Sequence, residues 1–112
     1  MKEDYPIFVK WFDATDWILD TVEKFPKSVR FTVSGRIVNI TLDIMEAIIE
    51  AIYTKNRLHI LERINLHIEK LRIMFRLSHK RRYLSKQQYE YISGILYETG
   101  KMIGGWKKIN EA

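Results

Sequence analysis

The sequence predicts an all-α fold, an antiparallel up-down-up-down four-helix bundle with residues 1–112 forming a single domain. Three observations carry that expectation. Apolar residues recur at three-and-four spacing in four successive segments, the breaks between them are short and polar, and no stretch alternates strictly enough to read as a strand. A chain of 112 residues is large enough for one hydrophobic core but not for two.

Ile7, Phe8, Trp11, Phe12, Thr15, Ile18, Leu19 and Val22 share one face and define a first helix from about Pro6 to Lys24. Phe25-Pro26 ends it, because proline disfavours helical geometry in the residue before it. Val33, Ile37, Ile40, Ile44, Ile48, Ala51 and Ile52 form the second stripe, from near Ser28 to Lys55-Asn56. Gly35 lies inside that helix at a cost of about 1 kcal/mol relative to alanine, so either its first turns are irregular or a neighbouring backbone comes close. The third helix carries Leu61, Ile64, Ile68, Leu71 and Phe75, with Ile60, Leu66, Ile73, Met74 and Leu77 widening the apolar surface, and ends where His79, Lys80 and Arg81 lie. The fourth opens with Ser85-Lys86-Gln87-Gln88, a capping-box pattern, and repeats through Tyr89, Ile92, Leu96, Thr99, Ile103 and Trp106. Gly104-Gly105 there suggests fraying or close packing. The apolar surface of the second and third helices exceeds what one core can use, which points to self-association.

Composition removes several classes of chemistry. With no cysteine there is no disulfide framework, thiolate zinc site or cysteine nucleophile. Acids at Glu3, Asp4, Asp13 and Asp16 do not suit a signal peptide, and no run of about 18 apolar residues occurs, so the expectation is a cytoplasmic protein without a membrane partner. A ferritin-like metal site needs Glu-x-x-His on two helices, whereas the chain offers only the reversed His59-Ile60-Leu61-Glu62. His67 reads as a polar residue on a helix face, and the pairs Asp13 with Asp16 and Asp43 with Glu46 read as solvated faces. No phosphate loop or nucleophile elbow is present. The expectation is a non-enzyme with no cofactor, no catalytic residue and no metal site.

Charge is unevenly placed. Seven bases and no acid lie between Lys70 and Lys86, leaving 12 bases against 14 acids elsewhere in a chain of net charge +5. Cations in a last helical turn offset the helix dipole by about 0.3–1 kcal/mol each, which accounts for two or three of them. Mutual repulsion opposes the rest. Arg72, Arg76 and Lys80 are four residues apart and line one helix edge over about 12 Å, and Arg81, Arg82 and Lys86 carry it around the corner. These six are the candidate nucleic-acid-binding set, contacting phosphates, with Tyr83, Tyr89 and Tyr91 near enough in sequence to offer stacking surfaces, although Tyr89 also falls on the core stripe.

The passages KWFDATDWILDTVEKFPKSVRFT, IEAIYTKNRLHILERINLHIEKLRIMFRL and LSKQQYEYISGILYETGKMIGGW resemble Avd, the accessory variability determinant of diversity-generating retroelements, from about Lys10 to Trp106. The most specific pieces are Glu23-Lys24-Phe25-Pro26-Lys27 leading to Arg30-Phe31-Thr32, and Gly100 to Trp106. Trp11, Trp17 and Trp106 favour Avd over bundles encoded in intervening sequences of ribosomal RNA genes, and Thr99 departs from the isoleucine-like residue of the pattern. The resemblance implies a homopentameric barrel that binds RNA and DNA with little sequence preference and partners the element's reverse transcriptase in cDNA synthesis and mutagenic retrohoming. The alternatives are an oligomeric scaffold that docks only protein, or a ribosomal-intervening-sequence bundle with no reverse transcriptase partner.

Overall fold

The computed structural model describes residues 5–111; Glu3 and Asp4, used above against a signal peptide, lie outside them. Four helices, α1 (Pro6–Val22), α2 (Gly35–Tyr53), α3 (Leu58–Lys80) and α4 (Lys86–Glu111), form the bundle, with no strand among the described residues. Each helix packs against the next and α1 closes the ring against α4, as the up-down-up-down reading requires. The bundle measures 45 × 22 × 20 Å.

The first helix ends at Val22, and two turn residues, Glu23 and Lys24, lead to Phe25-Pro26. The chain then passes through a 3₁₀ turn (Lys27–Val29) and a π-helical turn (Arg30–Ser34) before α2 settles into regular geometry at Gly35. Both explanations for that glycine hold together. The wide π turn brings the Arg30 carbonyl oxygen to within 3.2 Å of where a Cβ on Gly35 would stand.

The core is built from Trp11 and Ile18 of α1, Ile37, Ile44 and Ile48 of α2, Leu61, Ile64, Leu71 and Phe75 of α3, and Ile92, Leu96 and Ile103 of α4. Burying each such side chain contributes about 1.5–3 kcal/mol. Trp11 is fully buried, and its indole N–H donates to the Thr41 carbonyl oxygen at 3.1 Å, tying α1 to α2. Thr15, Thr41 and Thr99 are also buried, and each hydroxyl donates to the carbonyl four residues back, at 2.7–2.8 Å. Thr99 thus meets its polar need inside its own helix, which is why the core accepts it in place of an aliphatic residue.

Three expectations need correction. Phe12 and Leu19 lie on the α1 stripe but are exposed, because the stripe is wider than the arc that faces the other helices. Gly104 and Gly105 mark neither fraying nor close packing: α4 continues to Glu111, and a Cβ at either glycine would meet nothing within 4 Å. On α3 the widening residues divide, with Ile60 buried, Met74 half-buried, and Leu66, Ile73 and Leu77 exposed along one side.

Cross-helix ion pairs fix the register. Lys10 meets Glu98 at 2.7 Å between α1 and α4, and Arg63 meets Glu50 at 2.8 Å between α2 and α3. Such surface pairs contribute about 0–1 kcal/mol and select alignment more than stability.

Candidate functional site

The six sequence-selected bases lie on the outer face of α3 and the corner that follows it, and all six are exposed. That corner is a Schellman motif. The Tyr83 N–H donates to the Ser78 carbonyl at 2.8 Å and the Arg82 N–H to the His79 carbonyl at 3.0 Å, which places Arg82 at the left-handed position with φ 64°. Glycine is the usual occupant there, and Arg82 is the only non-glycine residue with positive φ among those described. The next helix begins at once. The Gln88 N–H donates to the Ser85 hydroxyl at 3.1 Å, and the Ser85 N–H donates to the Gln88 side-chain oxygen at 2.9 Å, completing the expected capping box and making Lys86 the first residue of α4.

Aromatic packing holds this corner to the rest of the bundle. Tyr83 lies 5.5 Å from Phe25 between ring centres, and His79 stacks on Tyr89 at 4.5 Å with planes 7° apart. Of the three tyrosines proposed for stacking, Tyr83 and Tyr89 are therefore half-buried and engaged, while Tyr91 is exposed but lies against Trp17 at 4.9 Å. They are corner struts rather than free platforms.

The acid-free window in the sequence is bounded by acids that fold onto its ends. Glu69 accepts from Arg72, with Nε at 3.0 Å, and that hydrogen bond is the main reason its carboxyl stays below the usual carboxylate range. Lys86 lies 3.9 Å from Glu90. Arg76, Lys80, Arg81 and Arg82 have no acidic partner among the described residues, so the uncompensated charge gathers at the end of α3 and its corner.

Sequence reading missed a second contribution to the same end. The Phe25–Tyr83 contact brings the α1–α2 turn beside the α3–α4 corner, and that turn exposes Lys24, Lys27 and Arg30. Phe25 and Tyr83 are 58 residues apart along the chain, so no local window could join the two groups. The turn also carries Phe31, 90% exposed, which counting along α2 had passed over as the start of a helix. The opposite end is organised differently: Trp106 packs on Tyr5 at 6.1 Å, and the Arg57 guanidinium lies over the Trp106 ring at 5.1 Å.

Among the described residues no group of three or more His, Asp or Glu could hold a metal ion, and no helix is long and apolar enough to cross a membrane. No curated protein and no solved structure matches the chain. The bAvd-like family does match, over residues 7–110, taking in all four helices, the π-helical turn and the basic corner. The chain therefore belongs to the bAvd-like family and is an Avd-type accessory protein.

Proposed function

We propose that this protein is a non-catalytic, nucleic-acid-binding subunit that assembles into a basic oligomer and supports the reverse transcriptase of a diversity-generating retroelement in the cytoplasm. The observation that carries the reading is the run of Arg76, Lys80, Arg81 and Arg82, exposed and without acidic partners among the described residues. Cations arranged this way neutralise backbone phosphates and release their counterions, a form of binding that takes any sequence and weakens steeply with salt. Arg72 and Lys86 contribute less, because each already has a carboxylate partner. The polymerase chemistry belongs to the partner; this chain holds template or product nearby.

Oligomerisation rests on a second feature. Leu66 and Ile73 are exposed on α3 and line a groove of about 570 Å3 between α2 and α3, with Ile40 and Met74 beside them. Exposed apolar surface of this kind supports a ring of copies, five by family resemblance, in which each basic corner is repeated. The same groove also favours a different reading, a scaffold that docks only protein. A mobility-shift experiment with unrelated RNA and DNA oligonucleotides at low and moderate salt separates the two. The proposal predicts a shift with both nucleic acids at low salt that weakens at moderate salt; no shift at either salt favours the scaffold.

A further inference from the structure

The α1–α2 turn forms part of a groove of about 770 Å3, within the roughly 300–1,000 Å3 range of sites that hold small organic groups. Its walls are apolar, supplied by Leu19, Phe25, Pro26 and Val38, and Gly35 keeps one side open by having no side chain. Ser34 also lines it. Ser34 is 8% exposed, and its hydroxyl has no hydrogen-bond partner among the described residues, whereas Thr15, Thr41 and Thr99 each bond within their own helices. A buried hydroxyl left this way is destabilising unless something supplies the bond. Asn39 adds an exposed amide to the lining. Lys24, Lys27, Arg30 and Glu23 complete it; Lys24 is paired with Asp20 at 3.7 Å, so Lys27 and Arg30 are the bases that draw an anion to the mouth.

From this juxtaposition of an apolar groove, two polar side chains and a cationic rim, we propose that the α1–α2 groove takes one unpaired nucleotide of a nucleic-acid strand, and that the basic end therefore prefers single strands to duplexes. The inference rests on the nucleic-acid reading given above and sharpens it. An unpaired base presents two apolar faces to the slot and a donor-and-acceptor edge to Ser34 and Asn39, while its phosphates meet Lys27 and Arg30. A base inside a duplex can do none of this without leaving its stack, which costs a few kcal/mol. Phe31 follows Arg30 directly and, at 90% exposure, offers a ring for the neighbouring base. Phe25 lines the groove and packs on Tyr83, so a strand leaving the slot reaches Arg81 and Arg82 next.

The test is fluorescence anisotropy of the full chain with a labelled mixed-sequence single strand and with the same strand annealed to its complement. The wild-type protein is expected to bind the single strand about tenfold more tightly than the duplex. Val38→Trp fills the slot without changing charge, and Phe31→Ala removes the exposed ring at a position that bears no core packing. Each is expected to lower single-strand affinity severalfold and to leave duplex affinity unchanged; helicity and melting temperature identify any variant that fails to fold, and Phe31→Ala alone then decides. Equal wild-type affinity for strand and duplex, or a preference retained by the folded variants, overturns the groove assignment while leaving the basic corner in place. Absence of wild-type binding to either form at low salt overturns both.

Discussion

Arg82 sits at φ 64°, a left-handed conformation in which a side chain costs about 1–2 kcal/mol and glycine costs nothing. The Schellman hydrogen bonds require that conformation, so folding alone favours glycine at this position. An arginine there is a strained position of the kind associated with functional sites, which accords with the proposed phosphate contact of its guanidinium. Arg82→Gly is expected to raise stability by about 1 kcal/mol in urea denaturation and to weaken nucleic-acid binding in the same preparation. His67 is the other residue whose environment opposes it. Its Nδ1 is buried without a partner among the described residues, and desolvation, then the Lys70 charge, hold its pKa below the ordinary 6.5, with Asp43 opposing them and Arg63 adding a smaller push downward. The unfolded chain then takes up this proton at higher pH than the folded one. Stability is unaffected well above 6.5 and falls as the pH drops through it. Melting temperature followed from roughly pH 7.5 to 5 should decline toward acid in the wild type and more gently in His67→Leu.

At the scale of helices and turns, the capping box at Ser85 and Gln88 stops and restarts the chain within a few residues of the Schellman corner, so the six bases are presented on a stiff support. Ser85→Ala removes the hydroxyl that receives the Gln88 N–H and is expected to cost about 1 kcal/mol of stability, measured by thermal or urea unfolding. The same two hydrogen bonds show what a sequence makes legible. Ser85-x-x-Gln88, the apolar spacing of each helix and Phe25-Pro26 are local patterns with local causes; the capping box forms where it was read, whereas α1 ends at Val22 rather than near Lys24 and regular α2 begins at Gly35 rather than near Ser28. Features that depend on how the helices pack were not legible. Phe12 and Leu19 have the right spacing but the wrong side of α1 for the arc its neighbours occupy, whereas Glu69 with Arg72 and Glu90 with Lys86 pair at ordinary helical spacing, just outside the acid-free window. The π-helical turn at Arg30–Ser34 was hinted at only by Gly35, and it is what exposes Phe31 and leaves the Ser34 hydroxyl without a bond.

Across the whole molecule, a bundle 45 Å long carries Arg76, Lys80, Arg81 and Arg82 as a cluster of bases without acidic partners among the described residues at the end where the α1–α2 and α3–α4 connections meet, while exposed Leu66 and Ile73 mark the side of α3 away from the core. On the proposed function these two surfaces serve separable properties, binding and assembly. Ile73→Glu places a charge in the α2–α3 groove without touching the basic corner, so it is expected to shift the protein from oligomer to monomer in light scattering while each chain stays folded. The central claim is that the corner of α3 binds nucleic acid through its phosphates. It is tested most directly by measuring affinity for an unrelated RNA over a range of salt concentrations, in the wild type and in Arg76→Gln/Arg81→Gln/Arg82→Gln. The account predicts that wild-type affinity falls steeply with salt, and that the triple variant binds much more weakly at low salt, with a slope of log affinity against log salt shallower by about 2 to 3. Affinity and salt slope equal to the wild type in a folded triple variant would contradict it.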